Sequence, residues 1–344
     1  MTGSVAGMRL GVVDQSPIPS GASGAEAFAN SVDLARRCEA LGYSRYWVAE
    51  HHNSDALAGS SPEILVDRIA GATSTMRVGS GGVMLTHYSP LKVAENFAVL
   101  RALHGDRIDL GIGRAPGSDQ ATMVALARGG ALLDIRHYPE TISLLLGYVD
   151  DRQTGSPLGS VRARPQPPGD GPPLPVWILA SSVDGAGYAA HFGLPLSWAY
   201  FITTIDGGPV VDAYRRQYQP SLRAPEPVVN VGVSVICADD DAEAARVASS
   251  VRLWRARGLK GPIPSIDEAD AAVVDDRFDR LPGRQPMVVG GPQRCVEDLE
   301  AIATRHGTDE LLVVTICHRH EDRVRSYELL AGAFGLEPAE DQRR

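Results

Sequence analysis

Eight short apolar runs, separated by stretches of helical periodicity, constrain this chain more than any other feature in it. They are Leu10–Val13, Tyr46–Ala49, Val78–Leu85, Ile108–Ile112, Val176–Ala180, Leu196–Ile202, Val228–Cys237 and Leu311–Ile316. Several are nearly continuous in hydrophobicity, as parallel strands covered on both faces should be. Between the first two lies Ala25–Leu41, where Leu34, Cys38 and Leu41 recur at helical spacing. Pro62 and Pro90 each follow a serine and open a helical run, the pattern of an N-cap and a first-turn proline. Further helices are expected at Pro139–Tyr148, Gly185–Phe192, Val210–Tyr218, Ala242–Arg257, Cys295–His306 and Glu321–Phe334. Strands alternating with helices close either as a barrel or as an open doubly wound sheet. The count of eight favours a (β/α)8 barrel of the TIM type. No G-x-G-x-x-G follows the first run, where Asp14-Gln15-Ser16-Pro17 stands instead, so a dinucleotide fold is disfavoured.

At 344 residues the chain can bury a full core as a single domain spanning 1–344, without disulfides or a structural metal. Two segments break the rhythm. Asp151–Pro175 is rich in Pro, Gly and Arg and reads as a surface excursion. Gly258–Pro286 combines glycines and prolines with acidic pairs and is expected to be a long late insertion, a mobile loop over the barrel mouth. The net charge of −9 argues against nucleic acid as the main partner. Cys38, Cys237, Cys295 and Cys317 fit no zinc spacing and read as buried thiols in a reducing compartment. The start of the chain lacks the basic and apolar regions of a signal peptide, and no run is long enough to span a bilayer. A cytoplasmic protein is expected.

In a parallel barrel the chemistry sits at the carboxyl ends of the strands. The second run ends Glu50-His51-His52. Strand alternation sends Glu50 and His52 one way and His51 the other, which weakens a metal reading. A structural, hydrogen-bonded histidine and a catalytic one both fit this position. The third run carries Gly79, Gly81 and Gly82, explained either by a flat ligand close to the backbone or by a tight barrel corner. Arg114 follows the fourth run and could hold a phosphate or carboxylate. After the fifth run, Ser181, Ser182 and Gly185 open a helix. That is an anion site if occupied and an ordinary cap if not. Trp198 and Tyr200 on the sixth run are candidate apolar walls. Together these describe a cup with one histidine, a glycine face and a phosphate clamp.

These stretches, above all Arg107–Gly117 with Leu10–Pro17, Val78–Leu85, Ser89–Leu103, Pro175–Pro195 and Gly290–Val313, resemble the luciferase-like monooxygenase family over nearly the whole chain. The single-chain group 1 type is the most similar. The resemblance implies a (β/α)8 barrel enzyme, a flavin-dependent monooxygenase. It would take reduced FMN from a separate reductase and use oxygen to oxidise a small organic substrate. Carried over by position, His51 is the active-site histidine, and Gly81-Gly82 flank a non-proline cis peptide behind the flavin ring. Arg114, Ser181, Ser182 and Gly185 fall at the phosphate, with Arg128 as a further phosphate arginine, and Tyr200 falls beside the flavin. Two departures from luciferase itself, Gly113 for a reactive cysteine and Ser181 for a glutamate, count against light emission and leave flavin binding in place. A homodimer is implied. The rival readings are a deazaflavin-dependent hydride-transfer oxidoreductase on the same fold and a flavin-binding protein without turnover.

Overall fold

The computed structural model describes residues 7–114, 119–127, 135–152, 159–166, 171–203, 205–272 and 287–338. The chain opens β1 (Arg9–Asp14), α1 (Gly24–Ala40), β2 (Arg45–Val48), α2 (Pro62–Ala70), β3 (Arg77–Ser80), β4 (Val83–Met84) and α3 (Pro90–His104). It continues β5 (Ile108–Gly113), α4 (Gln120–Leu126), α5 (Tyr138–Val149), β6 (Val176–Ala180), α6 (Val183–His191), β7 (Leu196–Ala199) and α7 (Gly207–Gln217). It ends β8 (Val229–Cys237), α8 (Asp241–Ala256), α9 (Ile266–Ala271), β9 (Val288–Gly290), α10 (Pro292–His306), β10 (Glu310–Val314) and α11 (His320–Phe334).

Eight of these strands close on themselves in the order β1-β2-β3-β5-β6-β7-β8-β10, every neighbour parallel. Closure comes from β10, which pairs with β1 at Leu10↔Leu311 and with β8 at Val231↔Leu311. Each of the eight apolar runs is a barrel strand. The third run is split at Gly81-Gly82 into β3 and β4, the latter paired to the end of β5, and one short piece was not foreseen: β9, paired to the end of β8 beyond its contact with β10.

Alternation along each strand makes two cores. Leu10, Val12, Tyr46, Val48, Ile108, Leu110, Ile112, Val176 and Ile178 face the helices. Val13, Trp47, Trp177, Leu312 and Val314 share the lumen. At the amino ends of the strands the lumen is closed by charge. Arg45 Nη1 lies 2.9 Å from Asp109 Oδ2 and its Nε 2.8 Å from Glu310 Oε1. Trp47 Nε1 and Arg77 also donate to Asp109. The Arg45 guanidinium sits against the faces of Trp47 and Trp177. The barrel is thus plugged below, and access is left to the carboxyl ends.

Of the late insertion, residues 258–272 are described, and they dock on the barrel. Ile263 is wholly buried and exchanges backbone hydrogen bonds with Ile18 and Ser20 of the β1 loop. The following α9 is capped by a Ser265–Glu268 box. Residues 273–286, to which the expected mobile loop extends, lie outside the described residues. Helix α11 is pinned by Arg323, buried 2.5 Å from Asp14.

Candidate active site

Beyond β2 the chain runs Ala49-Glu50-His51-His52. Ala49 joins Trp47 in the lumen cluster, and the same alternation carries His51 to the lumen side. Glu50 and His52 belong to the other side, where Glu50 Oε1 lies 2.7 Å from His52 Nε2. His51 takes no part in that pair. Its backbone N–H donates to Gly59 O at 2.7 Å, and its Nδ1 is buried without a protein partner. Burial, with His52 alongside, holds its pKa down to about 4. The imidazole is therefore neutral at physiological pH and keeps a lone pair.

At the end of β2, Gly81 N–H donates to Val48 O at 2.7 Å as the chain leaves β3, and the Gly81–Gly82 peptide is cis. Both glycines are required by the barrel itself. A Cβ at Gly81 would stand 2.9 Å from Trp47 Cβ, and one at Gly82 would stand 2.8 Å from Gly111 O. Gly81 thus makes room for the Trp47 side chain and Gly82 for the backbone of β5, and together they leave a stretch of wall without side chains. Further round, Gly113 borders open room, since a Cβ there would meet only Met84 Sδ at 3.5 Å.

Arg114 and the start of α6 converge. Ser182 is the N-cap, and its Oγ accepts from Gly185 N. Arg114 Nη2 lies 3.4 Å from the same Oγ, and Nη1 lies 3.3 Å from Asp184 Oδ2. Both contacts are long, and Asp184 is exposed, so the guanidinium is held loosely. Ser181 is adjacent, its carbonyl accepting from Thr203 Oγ1 at 3.0 Å. Gly185 also has a packing reason, because a Cβ there would lie 2.6 Å from Ala180 Cβ. Arg128 lies outside the described residues.

Tyr200 is placed differently from what the resemblance implies. Its ring packs edge-on against His306 of α10 at 5.7 Å, on the helix side of β7. Trp198 is on that same side, against Gly207 and His306. The physical reason is alternation: Ser197, Ala199 and the next odd position, Phe201, point inward. Phe201 packs on the lumen cluster opposite Gly232. It is the candidate aromatic wall that the sequence reasoning missed, because the sequence does not show which face of the run Leu196 occupies. Tyr88, hydrogen-bonded to Glu50 at 2.7 Å, was also missed, because nothing in the sequence links it to Glu50.

A cavity of about 600 Å3 lies elsewhere, between α3, α5 and the segment before β6. Its Arg101 and Arg223 are already paired with Asp106 and Asp150, and it contains none of the candidate residues. Among the described residues no cluster of metal-ligating side chains occurs.

A profile of the luciferase-like monooxygenases matches residues 8–310. The chain is 36% identical over 325 residues to the luciferase-like monooxygenase of Escherichia coli K12, covering 92% of this chain and 94% of that one. It is 32% identical over 336 residues to the N-acetyl-S-alkylcysteine monooxygenase of Bacillus subtilis, covering 95% and 98%. The crystal structure of apo-MsnO8 superposes with a TM-score of 0.89 at 39% identity, over 98% of this chain and all of that one. Two remoter structures share the fold. One is the oxygenating component of 3,6-diketocamphane monooxygenase in complex with FMN, from Pseudomonas putida (TM-score 0.68, 17% identity). The other is an F420-dependent secondary alcohol dehydrogenase (TM-score 0.68, 14% identity). On the strength of a family match along most of its length and full-length relatives above 30% identity, the chain belongs to the luciferase-like monooxygenase family, enzymes that are flavin-dependent oxidoreductases.

Proposed function

We propose that this protein is an FMN-dependent monooxygenase acting on a small organic substrate, with its site at the carboxyl-terminal mouth of the barrel. The observation that carries the reading is the convergence of Arg114 with the N-terminus of α6, at the strand ends where β2 also delivers a buried histidine nitrogen with no partner among the described residues. A phosphate-bearing flat cofactor fits that donor set. Arg114, Ser182 and the free N–H groups of α6 would hold the phosphate, with Ser181 and Gly185 shaping the turn. Gly81 and Gly82 would let the ring lie against backbone, and Phe201 would supply an apolar wall. When bound, reduced FMN supplies the electrons for oxygen activation. The protein's own part is to orient the ring, exclude water and hold a proton acceptor near it. Neutral His51 fits the last role, because its Nδ1 is buried and without a hydrogen-bond partner among the described residues.

The relatives named as monooxygenases support oxygen chemistry over hydride transfer, and a separate reductase is the matching source of reduced FMN. A homodimer is part of the proposal. Ile64 on α2 and Val99 and Leu103 on the adjoining α3 are exposed apolar side chains on neighbouring outer helices, which a second copy would cover. A reducing cytoplasmic location is supported by the four buried, unpaired cysteines. No helix among the described residues is long and apolar enough to cross a membrane. The test is an anaerobic titration of the purified protein with oxidised FMN, reduced FMN and a deazaflavin, followed by oxygen uptake. Tight binding of reduced FMN with oxygen consumption supports the proposal. Preference for deazaflavin without oxygen uptake replaces it with the hydride-transfer reading.

A further inference from the structure

Where the β2–β3 ladder ends, a side chain takes over from the backbone. Regular pairing stops at Val48↔Ser80, and Gly81 N–H still reaches Val48 O. The chain then loses β2 but keeps β5 as its neighbour, at Val83↔Ile112 and Met84↔Gly113, one residue out of register with Val78↔Ile108. Met84 N–H, on the β2 side, donates to Glu50 Oε2 at 2.9 Å. The other carboxylate oxygen accepts from Tyr88 OH at 2.7 Å and lies 2.7 Å from His52 Nε2. Glu50 is wholly buried. A carboxylate is costly to bury unless each of its lone pairs finds a donor, and here the donors come from three separate segments. They are the β2 end, β4 and the turn before α3.

This network brackets both elements of the proposed ring site. Glu50 is the chain neighbour of His51, so a carboxylate tethered on one side fixes the backbone from which His51 leaves on the other. Met84 closes the short segment that begins with Gly81 and Gly82, so its bond to Glu50 sets where that wall stands relative to β2. We propose that Glu50, held by Tyr88 and His52, is a positioning residue that fixes His51 and the Gly81–Gly82 wall at the spacing a bound flavin ring requires. It touches neither ring nor substrate in this account. The inference rests on the flavin reading above and adds a residue set that acts on the ring end of the cofactor, away from its phosphate.

Glu50→Gln and Tyr88→Phe in the full-length chain test it, with FMN and riboflavin affinities, the visible circular dichroism of the bound flavin and the melting temperature as readouts. Both variants are expected to weaken FMN and riboflavin by the same factor, roughly tenfold for Tyr88→Phe as one hydrogen bond to a charged acceptor is lost. Both should also alter the visible dichroism of the ring. Arg114→Ala, by contrast, should weaken FMN and leave riboflavin unchanged. Wild-type affinities and an unaltered dichroism in the variants, whatever their melting temperatures, overturn the inference and leave the flavin reading standing. If Glu50→Gln does not fold, Tyr88→Phe, which removes one hydroxyl, decides alone. A wild-type protein that binds no flavin overturns both.

Discussion

His51 and Arg114 differ in what holds them, and the difference sets what each variant should do. His51 is enclosed, with its pKa down to about 4. An unfolded histidine titrates near 6.5 (roughly). Between those values the unfolded chain takes up a proton that the folded chain does not. The stability contribution of keeping this ring neutral is therefore complete above about pH 6.5 and declines as the pH falls toward 4. Histidine-labelled NMR should show one imidazole titrating near 4, and that signal should vanish in His51→Ala. A midpoint near the ordinary histidine value would contradict the enclosed placement. The same variant is expected to lower turnover more than FMN affinity. Among the described residues Arg114 makes long contacts, to Ser182 and Asp184, so little native structure is lost with it. Arg114→Ala should weaken FMN by about ten- to a hundredfold, the ~1.5–3 kcal/mol of a hydrogen bond to a charged group. Equilibrium titration at moderate salt checks this, and unchanged affinity would remove Arg114 from the site.

Among elements, the described part of the late insertion is the informative one. Ile263 has no exposed surface and is bonded on both sides to the β1 loop, and Glu268 reaches Ser20 Oγ at 3.1 Å. Docking of 258–272 therefore combines Ile263, the most deeply buried apolar side chain of the segment, with Ile266 and Ala269 of α9 and a few polar contacts. Ile263→Ala should cost about 2–5 kcal/mol of that docking, as large-to-small changes at buried sites do. Limited proteolysis should then cut within 258–272 faster than in the wild type, while the far-UV spectrum of the barrel is retained. Equal cleavage rates would mean that the segment is held by something other than Ile263.

At the scale of the whole molecule the barrel depends on its charged floor. Asp109 receives Arg45, Arg77 and the Trp47 indole at once and is wholly buried. Asp109→Ala would leave Arg45 with Glu310 as its carboxylate partner among the described residues. Breaking a buried pair from one side costs about 3–5 kcal/mol, so a large drop in denaturation midpoint is expected, with flavin affinity per folded molecule little changed. A melt within a degree of the wild type would show that the floor does not carry the barrel. Light scattering tests the proposed dimer, and Leu103→Lys on the exposed face of α3 should shift it toward monomer.

The barrel was legible because its signals are local and repeated. Each of eight apolar runs is long enough to show a strand, and helix starts announce themselves through Ser61-Pro62 and Ser89-Pro90. The three-residue β9 shows no period, because a strand that short has none. The six-residue α9 did leave a trace, the Ser265–Glu268 capping box, inside a stretch whose Gly and Pro content read as loop. Around the candidate site, chain order alone sufficed to put His51, Gly81, Gly82, Arg114 and Ser182 at strand ends, since every parallel strand points its carboxyl end at the same mouth. Direction beyond a strand's last residue needed the fold. Whether Tyr200 or Phe201 turns inward depends on where the pleat of β7 begins, and a one-residue difference reverses every side chain. The partners of Glu50 also lay beyond the sequence. Residues 50, 84 and 88 meet where the chain after β3 leaves β2 while staying paired with β5, and such a meeting is decided by tertiary packing.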